Sequence, residues 1–115
     1  MKRIEAIIAS EKVSAVNEAL RRAGVEGATI LDAKGRGKGE KPRVMGGRGT
    51  SSHMAEFSTR ANVITVVDDA MVDAAVKAIL DAASTGAAGD GKIFISTVGE
   101  AVDIGSKKRS STSMV

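Results

Sequence analysis

The sequence predicts an α+β sandwich, a four-stranded antiparallel sheet with two helices on one face. Three observations predict it. Two segments repeat apolar residues at helical spacing, four β-rich segments surround them in the order βαββαβ, and a hydrophobic share of 43% in 115 residues suffices for one core but not two.

The first strand rests on Ile4, Ala6 and Ile8 alternating with Arg3, Glu5 and Ile7. Val13, Val16 and Leu20, with Ala19 and Ala23, then recur at helical spacing until Gly24 stops them. Ala28 to Lys34 reads as a second strand that ends in glycines, and Ala61 to Val67 as a third with strong β-branched content. Asp68 and Asp69 stand where they can cap the next helix, whose stripe of Met71, Val72, Ala75, Val76, Ile79 and Leu80 runs to about Ser84. Lys92 to Val98 is the fourth strand. This split βαβ order is that of the ferredoxin-like fold. The third strand is apolar on both parities (Val63 and Val67, Ile64 and Val66), so the sheet face away from the helices is expected to be covered by self-association.

Composition narrows the function. The only aromatics are Phe57 and Phe94, which leaves no base-stacking platform for single-stranded nucleic acid. The absence of cysteine excludes disulfides, thiolate metal sites and thiol catalysis, and fits a reducing cytoplasm. The first residues do not form a signal peptide, and no stretch is apolar enough to insert in a bilayer, so a cytoplasmic chain is expected. The net charge of +3 is concentrated: Lys34, Arg36, Lys38, Lys41, Arg43 and Arg48 face a single Glu40, and Lys107, Lys108 and Arg109 cluster near the end. Such clustering suits capture of an anion or an acidic partner surface.

The connection from Gly35 to about Arg60, rich in Gly, Arg, Lys and Ser, is far longer than two hairpin strands need, and a connection of that length is usually functional or disordered. After Ile104 the chain turns low-complexity, which predicts a domain over residues 1–104 and a mobile tail over 105–115.

The segment with the clearest chemistry is Thr85-Gly86-Ala87-Ala88-Gly89-Asp90-Gly91-Lys92. Its glycines allow close backbone approach to a ligand and present N–H donors, and Lys92 adds a point charge. A P-loop is rejected: Ile93 replaces the Ser or Thr that would hold magnesium, and the segment follows a helix and precedes a strand, the reverse of the required context. His53, with only Glu56 nearby, cannot assemble a metal cage, and no nucleophile, base and orienter come together, so no enzyme is expected.

Thr85-Gly86 followed by Gly89-Asp90-Gly91-Lys92-Ile93-Phe94 resembles the B-loop signature of the PII signal-transduction family. Ala6-Ile7-Ile8, Glu18-Ala19-Leu20, Gly27-Ala28-Thr29, Lys34-Gly35-Arg36-Gly37 and Val66-Val67-Asp68-Asp69 match the same family in order and spacing, over residues 1 to 102 or so. The resemblance implies a non-enzymatic homotrimer that binds ATP or ADP, with AMP a further candidate, between subunits. It places Gly27, Ala28, Thr29, Gly35, Arg36, Gly37, Lys38 and Val66 on one side of the cleft and Thr85, Gly86, Gly89, Asp90, Gly91 and Lys92 on the other, with Ile7 beside them and Arg60 as an anion contact. The long connection, about 37–58, becomes the T-loop, which in relatives docks onto a transporter or metabolic enzyme of nitrogen metabolism; Arg43 and Arg48 would serve that contact. Residues 85–92 become the B-loop.

The sequence departs from the family in three places. No tyrosine is present for uridylylation. Gly39-Glu40-Lys41 stands where relatives carry the Gln that helps hold magnesium and 2-oxoglutarate, so neither ligand is expected to be held in the usual way. The family's two C-terminal arginines fall at Asp103 and Gly105, with Lys107, Lys108 and Arg109 nearby, and fewer fixed cations argue for a preference for ADP or AMP over triphosphate. Two other readings are a PII-like sensor of another pathway, such as inorganic carbon uptake or fixation, and a small nucleic-acid-binding domain. The lack of aromatics on the central strands weighs against the second.

Overall fold

The computed structural model describes residues 1–37 and 57–112 and, as backbone alone, the strands at 43–45 and 52–54. Strand β1 (Lys2–Ala9) buries Ile4, Ala6 and Ile8 on one face, as their alternation predicts. A 3₁₀ turn over Ser10–Lys12 leads into α1 (Val13–Arg22), which buries Val16 and Leu20. The helix ends where Gly24 takes a φ of +93°, a conformation that favours glycine. Then come β2 (Thr29–Gly35), a short hairpin of β3 (Arg43–Met45) with β4 (Ser52–Met54), β5 (Ser58–Val67), α2 (Val72–Ala83) and β6 (Gly91–Thr97).

The main sheet runs β2-β5-β1-β6 and is antiparallel throughout, so the first strand of the chain lies in the interior of the sheet. Both helices cover one face, and the core is built from Ile4, Ile8, Val16, Leu20, Val63, Ala75 and Ile79, without an aromatic. This is the expected ferredoxin-like arrangement of four antiparallel strands and two helices. Thr65 is the one buried polar side chain among the described residues, and its hydroxyl donates to the Gly27 carbonyl at 2.6 Å. That bond ties the start of β2 to β5 and satisfies a group that would otherwise be costly to bury.

The two parities of β5 separate cleanly. Ala61, Val63 and Val67 enter the core, whereas Asn62, Ile64 and Val66 stand on the other face and are half-buried. Cross-strand register puts Glu5, Ile7, Leu31 and Phe94 on that same face, where Leu31 and Phe94 are each 50% exposed. Asn62 donates to Glu5 Oε1 at 2.8 Å there, while its own Oδ1 is buried without a partner.

Two expectations meet a different arrangement. Neither Asp68 nor Asp69 makes a side-chain capping bond to the turn at Asp69–Met71; the Asp68 carbonyl accepts the Met71 N–H at 2.8 Å, and Asp69 instead pairs with the Met1 amino group at 3.2 Å. The division drawn at residue 104 cuts through a small hairpin, β7 (Ala101–Val102) with β8 (Arg109–Ser110). Asp103 closes its turn by accepting the Ser106 N–H at 2.7 Å, and Arg109 pairs with Glu100 at 2.8 Å.

Candidate functional site

After Ser84 donates its N–H to Leu80, which completes α2, the chain enters the 85–92 segment through three glycines of positive φ: Gly86 at +83°, Gly89 at +106° and Gly91 at +125°. Asp90 closes this turn from within. One carboxylate oxygen accepts the N–H groups of Thr85 (2.6 Å) and Gly86 (3.0 Å), and the other accepts the Thr85 hydroxyl (2.5 Å). The Thr85 hydroxyl, followed by these N–H groups, holds the Asp90 carboxyl below the usual carboxylate range. The donors at the mouth of the turn are therefore engaged by an internal anion. Any external one must be met at the crest and by Lys92.

Gly91 is fixed by a close approach. A Cβ there would lie 2.0 Å from the Ile7 carbonyl oxygen. The absence of a side chain lets β6 start directly against β1, and register then sets Lys92 opposite Ile7. Lys92 itself is exposed.

Arg60, near the start of β5, reaches the crest. Its Nη1 donates to the Gly89 carbonyl at 2.6 Å and its Nε to Ser58 Oγ at 3.0 Å, while Ser58 Oγ donates to the Gly35 carbonyl at 3.2 Å. A Cβ at Gly35 would sit 3.1 Å from Arg60 Cγ, so the glycine also makes room for the arginine stem.

One chain thus brings together Ile7, Gly35, Arg60, Gly89, Asp90, Gly91 and Lys92. Gly27, Ala28, Thr29 and Val66 do not join them. Thr29 pairs with Ile64 and Val66 with Arg3, and Val66 is six residues along β5 from Arg60, about 20 Å at ~3.3 Å per residue. Gly27 and Val66 line a separate cavity of about 320 Å³ with Gly24, Val67 and Met71. Within one chain the candidate residues therefore fall into two separate half-sites, with Gly35 beside the 85–92 turn and Gly27 and Val66 in the other. Arg36 and Gly37 continue from β2 toward the long connection. Lys38 and Arg48 lie outside the described residues, and Arg43 is described only as backbone in β3.

Sequence reasoning missed two parts of this arrangement. Ser58 was not singled out, although its spacing of two from Arg60 on a strand puts both on one face. The internal closure by Asp90 was missed as well; an Asp five residues after a Thr in a glycine turn is the signal that could have found it. Among the described residues no group of three or more His, Asp and Glu could hold a metal ion, and no helix is long and apolar enough to cross a membrane.

Comparison with known proteins agrees with the geometry. The family model for "Nitrogen regulatory protein P-II" matches residues 1–108. Proteins of that name are similar along nearly their whole length: that of Rhodospirillum rubrum is 40% identical over 109 residues, 95% of this chain and 96% of the relative. Those of Mesorhizobium japonicum and Nostoc punctiforme are 42% and 43% identical, each covering 90% of this chain and 91% of the relative. A match that spans both helices, all four strands of the main sheet and the 85–92 turn leaves one assignment: the chain belongs to the nitrogen regulatory protein P-II family, a family of signal-transducing regulators and not of enzymes.

Proposed function

We propose that this chain is a nucleotide sensor, binding ATP, ADP or AMP at a site shared between neighbouring copies in a homotrimer and regulating a transporter or metabolic enzyme of nitrogen metabolism through its long β2–β5 connection. The observation that carries the reading is the division of the candidate residues into two half-sites on one chain. Lys92, Arg60 and the crest of the 85–92 turn supply cations and N–H donors for phosphates. The Gly27–Thr29 and Val66 half supplies backbone and apolar surface for the rest of the nucleotide. Neither half is complete alone, and the half-exposed Leu31 and Phe94 on the open sheet face give a second copy an apolar surface to cover.

Chemically the site needs only to bind and discriminate. The Lys92 ammonium is a point charge that suits terminal phosphate oxygens, and the Arg60 guanidinium can exchange a neutral carbonyl for a charged oxygen, a stronger bond. Asp103 and Gly105, where relatives carry arginines, supply no cation, which favours di- or monophosphate over triphosphate. A PII-like sensor of another pathway, such as inorganic carbon uptake, is the second reading, favoured by Gly39-Glu40-Lys41 in place of the family's glutamine; identifying a captured transporter or enzyme separates the two.

Calorimetric titration with ATP, ADP and AMP, each with and without magnesium and 2-oxoglutarate, tests the proposal. Saturable binding of at least one nucleotide is expected, with little dependence on 2-oxoglutarate. No binding by a trimer of intact fold would refute it. Lys92→Ala is expected to abolish binding while the thermal melt stays unchanged; retained affinity would remove Lys92 from the site.

A further inference from the structure

We propose that Arg60 is a positioning residue that couples anion occupancy of the 85–92 turn to the contact between Gly35 and Ser58, the two points where the long connection leaves β2 and enters β5. The proposal rests on reading 85–92 as a phosphate site. Three hydrogen bonds carry it: Arg60 Nη1 to the Gly89 carbonyl at 2.6 Å, Arg60 Nε to Ser58 Oγ at 3.0 Å, and Ser58 Oγ to the Gly35 carbonyl at 3.2 Å. One guanidinium therefore holds the crest of the turn and the root of the connection together. Glycine stands at both ends of this bridge, where a Cβ would come within 3.1 Å of Arg60 Cγ at Gly35 and 3.7 Å of Arg60 Nη2 at Gly89.

The bridge closes on a neutral carbonyl, and that makes it displaceable. Two donors at the mouth of the turn are engaged by Asp90, so an incoming phosphate must draw on the crest N–H groups, Lys92 and Arg60. A charged oxygen outcompetes a carbonyl for the guanidinium. Because Nε and Nη1 belong to one rigid plane, turning Nη1 toward phosphate turns Nε away from Ser58. Ser58 then loses the donor that orients its hydroxyl, and the bond to Gly35 weakens with it. The coupling is reciprocal: whatever holds Gly35 and Ser58 in their bridged geometry weakens anion binding by the same factor.

Backbone amide NMR signals of the full chain, followed at residues 35–37, 58–60 and 86–92 during titration with ADP, test this in the natural sequence and in Arg60→Ala, Arg60→Lys and Ser58→Ala. ADP is expected to move both groups of signals in the natural sequence. Arg60→Ala should bind about tenfold more weakly and, at saturation, move 86–92 while leaving Gly35 and Ser58 still. Arg60→Lys should keep most of the affinity but lose the distant response, since an ammonium has no second arm for Ser58. Ser58→Ala should bind within about twofold of the natural sequence and lose the response at Gly35. A response at Gly35 that survives in Arg60→Ala or Arg60→Lys overturns the proposal. If ADP moves 86–92 in the natural sequence while 35 and 58 stay still, the bridge fails and the phosphate site stands. If ADP moves nothing, both fall.

Discussion

Replacing Gly91 with alanine offers the sharpest test of how β6 is seated. The added Cβ would lie 2.0 Å from the Ile7 carbonyl oxygen, 3.0 Å from its carbonyl carbon and 3.2 Å from Ile8 Cα. All three are backbone atoms of an interior strand, so no side chain can swing aside. The residue also sits at a φ of +125°, where a side chain adds strain of about 1–3 kcal/mol. Restoring ordinary contact requires a shift of more than an ångström at the Ile8–Gly91 and Ile7–Lys92 pairs that end the ladder, at a cost of about 1 kcal/mol for each backbone bond lost. Together these give ~2–5 kcal/mol, against a total stability of roughly 6–17 kcal/mol for a domain of this size. The variant is therefore expected to fold and to melt roughly 8–20 °C lower. Gly86→Ala is the control. Its φ of +83° is also unfavourable, but a Cβ there meets nothing within 4 Å, so it should cost only ~1–2 kcal/mol. Melts in urea and by heat, read for both variants, decide the matter. A Gly91→Ala protein within 0.5 kcal/mol or so of the natural sequence would refute the close seating of β6 on β1.

Other consequences follow from single contacts. Asp90→Asn removes the charge that closes the 85–92 turn, and hydrogen exchange at the Thr85 and Gly86 amides should quicken by about tenfold. The same carboxylate fixes a pH dependence: its folded value lies below its unfolded one, so its stabilisation is fully present above about pH 4 and is lost as pH falls through the lowered folded value. Carboxyl carbon NMR titration should find Asp90 titrating below an ordinary aspartate, and an ordinary midpoint would refute the closure. Thr65→Val removes the hydroxyl that the Gly27 carbonyl accepts from and should cost ~1–2 kcal/mol in chemical denaturation; no loss would mean that water replaces the hydroxyl.

Much of the fold was legible because its signals are local. The alternation of Ile4, Ala6 and Ile8 and the stripes of the two helices each report one core-facing side, and Ile4, Ala6, Ile8, Val16, Leu20, Ala75 and Ile79 are buried there, whereas Leu80, at the edge of the second stripe, is 51% exposed. β5 was harder, because apolar residues on both parities (Val63 and Val67, Ile64 and Val66) cannot say which parity meets the helices; pairing with β1 settles it. Low complexity at 105–112 outweighed a turn signal, Asp103 followed by Gly105 and Ser106, which the hairpin uses with Lys107 at a φ of +62°. The 85–92 turn was readable as a phosphate cradle from its glycines. The Arg60 bridge was not, since two of its three bonds join positions 23 and 29 residues apart that only the sheet order brings together. The split of the candidate residues into two half-sites has the same origin: strand register, not spacing, sets which of them meet.

The placement of β1 inside the sheet also shapes how the chain is made. Glu5 meets its partner Asn62 57 residues later, and Lys2 meets Thr97 95 residues later. At a synthesis rate of ~5–20 residues per second, the strand waits roughly 3–12 s for β5 and roughly 5–19 s for β6. During that interval Ile4, Ala6, Ile7 and Ile8 have no sheet to enter, while α1 can form at once from local contacts. The helix beside it is then the natural early shelter for that strand, and ribosome-bound chains halted before residue 58 are the place where aggregation would begin.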